Sequence, residues 1–230
     1  MQIEPSLYIV PTPIGNLQDI TLRAIEVLTN VDLIACEDTR RCGLLLKSLN
    51  ISNNNRLRSY YDQNEERRSI ELINEILDGK SVALISDAGT PCISDPGFRL
   101  VSKAREHSIK VVSLPGATAF VPSLVASGFP NHCFTFYGFP PQKKGRKTFL
   151  LNALSNSNTI IFYEASHRIT KLIKEIAEID SNRMILISRE ISKIYEEHIE
   201  FSGQHFLDGA VKITEKGEFV VIVAGKKATP

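Results

Sequence analysis

The sequence of 230 residues lacks tryptophan, has only four cysteines and contains no long apolar run. A membrane-spanning helix needs about 18 or more apolar residues, and the N-terminus shows no basic segment followed by an apolar one. We therefore expect no membrane association and a cytoplasmic location. Cys36, Cys42, Cys92 and Cys133 form neither a Cys-x-x-Cys pair nor a zinc-like spacing with histidine. This pattern favours reduced thiols and no metal.

The sequence also has no large excess of positive or negative charge. The 27 Lys and Arg residues nearly balance the 26 Asp and Glu residues, for a net charge of +1. Bulk charge therefore argues neither for nor against a nucleic-acid partner, and a site for polyanions would depend on local clusters. The glycine pattern GxGxxG of dinucleotide-binding proteins is missing as well, since only Gly15 follows the first predicted strand.

The most distinctive stretch that is present runs from Ser86 to Gly97. It contains two glycines, two prolines and two aspartates, and it follows an apolar segment at residues 82–85. An ordinary connection from strand to helix needs about two to six residues. Loops beyond the carboxyl ends of strands are where open α/β sheets bind ligands. The sequence therefore predicts that this loop wraps a small molecule.

Apolar runs alternate with helical patterns through the first half of the chain, which predicts a parallel α/β domain at residues 1–115. The second half, residues 116–230, has strand patterns with fewer long crossovers, which predicts a mixed or antiparallel sheet. The predicted strands cover residues 7–10, 31–36, 56–61, 82–85, 109–114, 134–137, 159–163, 184–188 and 219–223.

Two polar segments have two interpretations each. After the second strand, helix capping explains Asp38 and Thr39 but not Arg40 and Arg41, because cations are unfavourable at the positive end of a helix. A phosphate-facing role is the alternative. The basic segment 143–147 is either a solvated loop or the best local patch for a polyanion.

Several motifs, kept in order over nearly the whole chain, together resemble the tetrapyrrole methylase superfamily of S-adenosylmethionine-dependent methyltransferases. Within it, the sequence is similar to the branch that methylates a cytidine ribose 2′-oxygen in the RNA of the small ribosomal subunit. The motifs are Val10–Asp19, Glu37–Arg40, Leu84–Pro91, Ile93–Gly97, Leu114–Thr118, Phe162–Glu164 with His167 and Arg168, and Ser188–Glu190 with Lys193.

The resemblance implies two α/β domains with a cofactor cleft between them, an N-terminal sheet that is mostly parallel and a C-terminal sheet that is mixed. It also implies a homodimer that binds S-adenosylmethionine and small-subunit ribosomal RNA. The cofactor-binding residues would be Pro13, Asp87, Ala88, Gly89, Thr90, Ile93, Ser94, Gly116, Thr118, Ala119, Tyr163 and Glu164. The RNA contacts would be Arg23, Arg40, Arg41, Lys143, Lys144, Arg146, Lys147, His167 and Arg168.

A methyl transfer to a hydroxyl group benefits from a proton acceptor. Asp87, Glu190 and Lys193 are the catalytic candidates, and the other loop carboxylates (Asp38, Asp95 and Glu164) stay open as bases. Lys193 could act as a base with a lowered pKa, or stabilise an oxyanion while charged.

Two departures from the family pattern bear on the substrate. The segment Pro11–Asn16 replaces the GxGxGD turn of the tetrapyrrole enzymes, which favours RNA. Many members of the RNA branch carry a further small C-terminal domain, and we expect this protein to be of the form that lacks it. The alternatives are a tetrapyrrole or protein substrate, or a cofactor-binding module without catalysis.

Overall fold

The computed structural model describes residues 3–226. The chain divides into two compact units, Met1–Thr118 and Ala119–Pro230. Within the described residues, no helix is long and apolar enough to cross a bilayer.

The first unit alternates strands and helices, as the sequence predicts. Its strands are β1 (Leu7–Ile9), β2 (Leu33–Cys36), β3 (Leu57–Ser59), β4 (Val82–Leu84) and β5 (Val111–Ser113). Its helices are α1 (Leu22–Asn30), α2 (Thr39–Ser48), α3 (Glu65–Leu77) and α4 (Phe98–Glu106), with a 3₁₀ turn at Leu17–Asp19.

All strand pairs of this sheet are parallel, in the order β3-β2-β4-β1-β5. Successive side chains of a strand point to opposite faces, so Leu7 and Ile9 join one core while Tyr8 and Val10 join the other. Helices α1 and α2 pack on the face of Tyr8, and α3 and α4 pack on the opposite face. The predicted parallel α/β sheet is confirmed.

The second unit contains β6 (Phe134–Gly138), β7 (Thr159–Ala165), β8 (Met184–Arg189), β9 (Glu197–Ser202) and β10 (Glu218–Val223). Its helices are α5 (Phe120–Ala126), α6 (Arg146–Leu154), α7 (Ile169–Ile179) and α8 (Gly203–Leu207), with a 3₁₀ turn at Ser166–Arg168. The strand order is β6-β7-β10-β8-β9.

Among the described residues of this second sheet, the β6–β7 pair is parallel, and the pairs β7–β10, β10–β8 and β8–β9 are antiparallel. The predicted mixed sheet is therefore confirmed. The predicted strands do not include β9, although this edge strand alternates Ile199 and Phe201 with the exposed His198 and Glu200, a pattern typical of a half-buried strand. Charged side chains on an edge strand also protect it from unwanted pairing.

The basic segment differs from the expected loop, because α6 begins at Arg146. The Arg146 guanidinium is 5 % exposed and lies 3.3 Å from a Glu164 oxygen and 2.7 Å from Glu175. The Glu164 side chain is fully buried and also accepts a hydrogen bond of 2.7 Å from Arg168. A buried carboxylate without a partner is costly, so this ion-pair network is part of the unit's stability.

Replacing Arg146 by methionine should therefore destabilise the protein by roughly 3 kcal/mol or more, because Glu164 would lose a buried partner. The same substitution at the exposed neighbour Lys147 should change stability by no more than about 0.5 kcal/mol. Urea unfolding of the two variants measures the difference. Equal midpoints for Arg146→Met and Lys147→Met would contradict the structural role of this ion pair.

Candidate active site

The carboxyl ends of five parallel strands place their following loops at one edge of the first sheet. The segments at this edge begin after Ile9, Cys36, Ser59, Leu84 and Ser113. Ligand sites of open α/β sheets form at this edge. The predicted ligand loop, Ser86–Gly97, lies in one of these segments.

Backbone hydrogen bonds attach the ligand loop to the segment after β1. Thr12 and Gly89 exchange two N–H to carbonyl bonds, of 2.9 Å and 3.0 Å. The Thr12 hydroxyl donates a further bond of 3.2 Å to the Ser86 carbonyl. Gly89 has a φ of +82°, which glycine adopts without steric cost. The start of the loop therefore has a fixed path.

A second attachment joins the ligand loop to the segment after β5. The Thr90 hydroxyl lies 2.8 Å from the Ala117 carbonyl and 2.6 Å from the Thr118 hydroxyl. Gly116 packs against Pro11, since a Cβ at Gly116 would lie 2.5 Å from Pro11 Cβ. The structure thus brings together four residues predicted to bind the cofactor, namely Gly89, Thr90, Gly116 and Thr118.

The far end of the ligand loop has unusual backbone geometry. Cys92, Ser94 and Gly97 have φ values of +70°, +64° and +139°. Non-glycine residues in this region cost free energy, and such residues cluster at functional sites. Glu65 stabilises this end, because its Oε1 accepts hydrogen bonds from the Gly97 N–H at 3.0 Å and the Tyr60 hydroxyl at 2.9 Å.

The amphipathic pattern of α3, in which Glu65 belongs to a charged run at residues 65–68, does not indicate this contact. The sequence gives one indication of a role for Glu65, namely its position in the first turn of a helix, where carboxylates are favourable. The structure instead uses Glu65 to connect α3 to the first turn of α4.

Three carboxylates contribute to the electrostatics of the edge. Burial, followed by repulsion from Glu37, raises the pKa of Asp95 to about 7. Burial also raises the pKa of Glu37, whose Oε1 accepts a bond of 3.1 Å from the Asp87 N–H. Asp87 forms an ion pair of 2.8 Å with Arg41. Asp95 is thus the carboxylate best matched to proton transfer near neutral pH.

The capping interpretation of residues 38–41 is confirmed for Asp38, which accepts a bond of 2.8 Å from the Arg40 N–H. The Arg40 guanidinium also bonds this carboxylate, and these bonds hold the pKa of Asp38 well below its usual range. Arg40 remains exposed on its outer side, as do Arg41 and Arg23. These three arginines lie on the first unit.

The remaining predicted site residues of the first unit also lie near the edge. Pro13 and Ile93 are half-buried, whereas Ala88 and Ser94 are exposed. Within residues 3–226, no three His, Cys, Asp or Glu side chains form a group that could hold a metal ion.

In the second unit, β7 presents Tyr163 half-buried and Glu164 inside the ion-pair network. With its oxygens bound by Arg146, Arg168 and the Ala165 N–H, Glu164 has no free face for a cofactor or a proton. Arg146 is likewise unsuited to the predicted phosphate contact. Local sequence does not reveal this, because its partners are 18 and 29 residues away.

The catalytic candidates Glu190 and Lys193 also belong to the second unit. The Lys193 amine lies 2.8 Å from Glu190 Oε1 and 3.0 Å from Glu218 Oε2. Partial burial disfavours the charged amine, but the bonds to Glu190 and Glu218 prevail and raise the pKa of Lys193. The bond to Lys193 likewise lowers the pKa of Glu190. A base at Lys193 is therefore disfavoured, and its charged form persists near neutral pH.

Comparison with known families gives a clear assignment. The family model described as Tetrapyrrole (Corrin/Porphyrin) Methylases matches residues 6–204. The chain belongs to this family. Among solved structures with the tetrapyrrole methylase fold, a cobalt precorrin-4 methyltransferase aligns with a TM-score of 0.67 at 13 % identity, covering 96 % of this chain and 95 % of that one. At such low identity, the likeness shows the fold alone.

A second similar structure is uroporphyrin-III C-methyltransferase from Thermus thermophilus in complex with S-adenosyl homocysteine. It has a TM-score of 0.63 at 19 % identity, and the alignment covers 94 % of this chain and 96 % of that one. The demethylated cofactor is thus bound by a protein of the same fold.

Curated relatives in the tetrapyrrole methylase family are much more similar in sequence. The Escherichia coli O157:H7 protein named ribosomal RNA small subunit methyltransferase I is 46 % identical over 227 residues, which are 96 % of this chain and 78 % of that protein. The Hydrogenobaculum sp. protein of the same name is 42 % identical over 219 residues, 95 % of each chain. The predicted methyltransferase class is confirmed.

A Gly116→Ala substitution should destabilise the protein by about 1–3 kcal/mol, because the new methyl group would overlap Pro11. Gly43 provides a matched control. It lies within α2, and no neighbouring atom would come within 4 Å of a methyl group added there, so Gly43→Ala should stabilise by up to about 1 kcal/mol. Urea unfolding measures both effects. A Gly116→Ala variant as stable as Gly43→Ala would show that the approach to Pro11 is not constrained.

Proposed function

We propose that the protein methylates the 2′-oxygen of a cytidine ribose in small-subunit (16S) ribosomal RNA, with S-adenosylmethionine as methyl donor. The observation that carries the proposal is the 46 % identity over 227 residues with the E. coli protein named for this RNA. Structures of tetrapyrrole-modifying enzymes share the fold at only 13–19 % identity. The segment Pro11–Asn16, which lacks the glycine-rich turn of those enzymes, also favours the RNA substrate.

The edge of the first sheet is chemically suited to the methyl donor. It offers loop backbone at Asp87 and Ala88, both exposed, and hydroxyl groups at Thr90 and Thr118. When bound, the sulfonium group of S-adenosylmethionine supplies an already activated methyl group. Residues of this edge would bind and orient the donor, and orientation alone can contribute several kcal/mol to the barrier reduction. Pro13, Gly89, Ile93, Ser94, Gly116, Ala119 and Tyr163 complete the proposed cofactor set.

Asp95 is the proposed proton acceptor for the ribose hydroxyl. Asp38 has a depressed pKa, Glu190 is bound by Lys193, and Glu164 is enclosed by arginines. Asp87 pairs with Arg41 and is assigned to donor binding. Asp95 alone among these carboxylates combines partial exposure with a pKa raised to about 7.

Exposed cations would contact the RNA phosphates. Lys143, Lys144 and Lys147 surround the start of α6, and His167 is exposed beyond β7. Arg23, Arg40 and Arg41 provide further positive charge on the first unit. We also include in the proposal the homodimer, which the family resemblance implies, and a cytoplasmic location, since the proposed substrate is a ribosomal particle.

The function can be tested by incubating the protein with methyl-labelled S-adenosylmethionine and unmodified small ribosomal subunits, followed by digestion of the RNA to nucleosides. We expect label in 2′-O-methylcytidine. Label in another nucleoside would overturn the cytidine assignment. Donor binding without transfer to RNA would favour the two alternatives, a different substrate or a module without catalysis.

The pH dependence tests the role of Asp95. A protonated carboxyl group cannot accept the hydroxyl proton, so the methylation rate should fall as pH decreases through about 7, by about tenfold per pH unit. Asp95→Asn should lower the rate by roughly 10²–10⁴-fold, abolish this acidic limb and leave donor affinity unchanged.

Asp78→Asn, at an exposed carboxylate just after α3, is the matched control and should keep the full rate and pH profile. An Asp95→Asn enzyme with an unaltered profile would remove Asp95 from the mechanism. Weakened donor binding at an unchanged maximal rate would instead assign Asp95 to the cofactor.

A further inference from the structure

A row of aromatic rings extends along the outer strand of the second sheet. Phe120 of α5 lies 6.1 Å from Phe134 and 4.8 Å from Phe136, measured between ring centroids. Tyr163 continues the row at 5.0 Å from Phe136 and 5.7 Å from Phe139. We call these five residues the aromatic strip.

Core packing does not account for the strip. Side chains alternate along β6, and Tyr137 points into the core, where it stacks on Phe162 at 5.7 Å. Phe134, in contrast, is 41 % exposed, and Phe139 is 52 % exposed. Contiguous exposed apolar surface in a soluble protein marks an interaction site.

Positive charge that follows the strip in the chain indicates which partner it binds. Lys143, Lys144 and Lys147 follow Phe139 closely in the chain and are exposed, and within residues 3–226 no ion pair involves any of them. Aromatic rings next to a basic track are typical of proteins that bind single-stranded nucleic acid, because rings stack on bases and cations contact phosphates. Association of this face with itself would instead bring two copies of the same positive segment together.

We propose that the aromatic strip stacks on unpaired bases of the RNA substrate while the three lysines bind its phosphates. This inference rests on the proposed function and deepens it, because it names single-stranded RNA as the form that is recognised. The strip includes Tyr163, which the family resemblance also assigns to the cofactor. Stacking tolerates any base, so the strip would position the RNA rather than select its sequence.

The test compares two probes that carry equal numbers of phosphates, a short oligocytidine and an abasic oligomer of the same length. Fluorescence anisotropy should show that the wild-type protein binds oligocytidine about tenfold or more tightly than the abasic probe. Phe139→Ala combined with Phe134→Ala should remove most of this preference without weakening abasic binding. Phe139→Tyr, which keeps a ring, should retain it.

The three lysines provide the complementary arm. Their joint replacement by alanine should weaken the binding of both probes. The slope of the logarithm of the binding constant against the logarithm of the salt concentration should become shallower by about 0.7 per lost phosphate contact. The preference for bases should survive. Leu77→Ala, an equally exposed apolar residue on α3, serves as the control and should bind like wild type.

Three outcomes would overturn the inference. They are equal affinity of the wild-type protein for both probes, an unchanged preference for oligocytidine in the Phe134/Phe139 variant, and an equal loss of affinity for both probes in that variant. Light scattering adds a fourth, since a change in oligomeric state of that variant would assign the strip to self-association. The methylation assay with small ribosomal subunits and the wild-type protein distinguishes failure of this inference from failure of the proposed function. Methylation with no stacking preference defeats only this inference, whereas a stacking preference without methylation defeats the proposed function.

Discussion

The backbone pair between Thr12 and Gly89 determines the geometry on which the candidate active site depends. A loop of this length, attached only at its ends, would be free to adopt many conformations. Two hydrogen bonds join it instead to the segment after the neighbouring strand, and Thr90 joins it to the segment after β5. Three loops from three adjacent strands therefore form one surface, and parallel pairing of those strands is what brings them together.

That surface gives two nearby aspartates different environments. Asp87 is exposed and pairs with Arg41, whereas Asp95 is more buried and close to other carboxylates, two effects that raise its pKa. Separate surroundings are how a protein assigns different tasks to the same chemical group. The sequence alone leaves this division unresolved, because both residues belong to the same polar loop.

Much of the fold could be predicted from the sequence because the relevant signals are local. The alternation of strands and helices, the end of β1 at Pro11 and the long ligand loop are all visible in short windows of sequence. The role of Arg146 is not, since a basic run looks alike whether its members are solvated or buried beside Glu164. The role of Glu65 escapes prediction for the same reason. Its partners Tyr60 and Gly97 are brought to it only by the folded sheet.

The buried network around Glu164 has a consequence for how this chain can diverge. Two carboxylates, Glu164 and Glu175, balance the guanidinium groups of Arg146 and Arg168. A single neutral replacement at Arg146 or Glu164 leaves an uncompensated charge in the interior, although a wholly apolar set of similar volume would be tolerated. The intermediate sequences are less stable than either end point. We therefore expect the residues at these four positions to change together during evolution rather than one at a time.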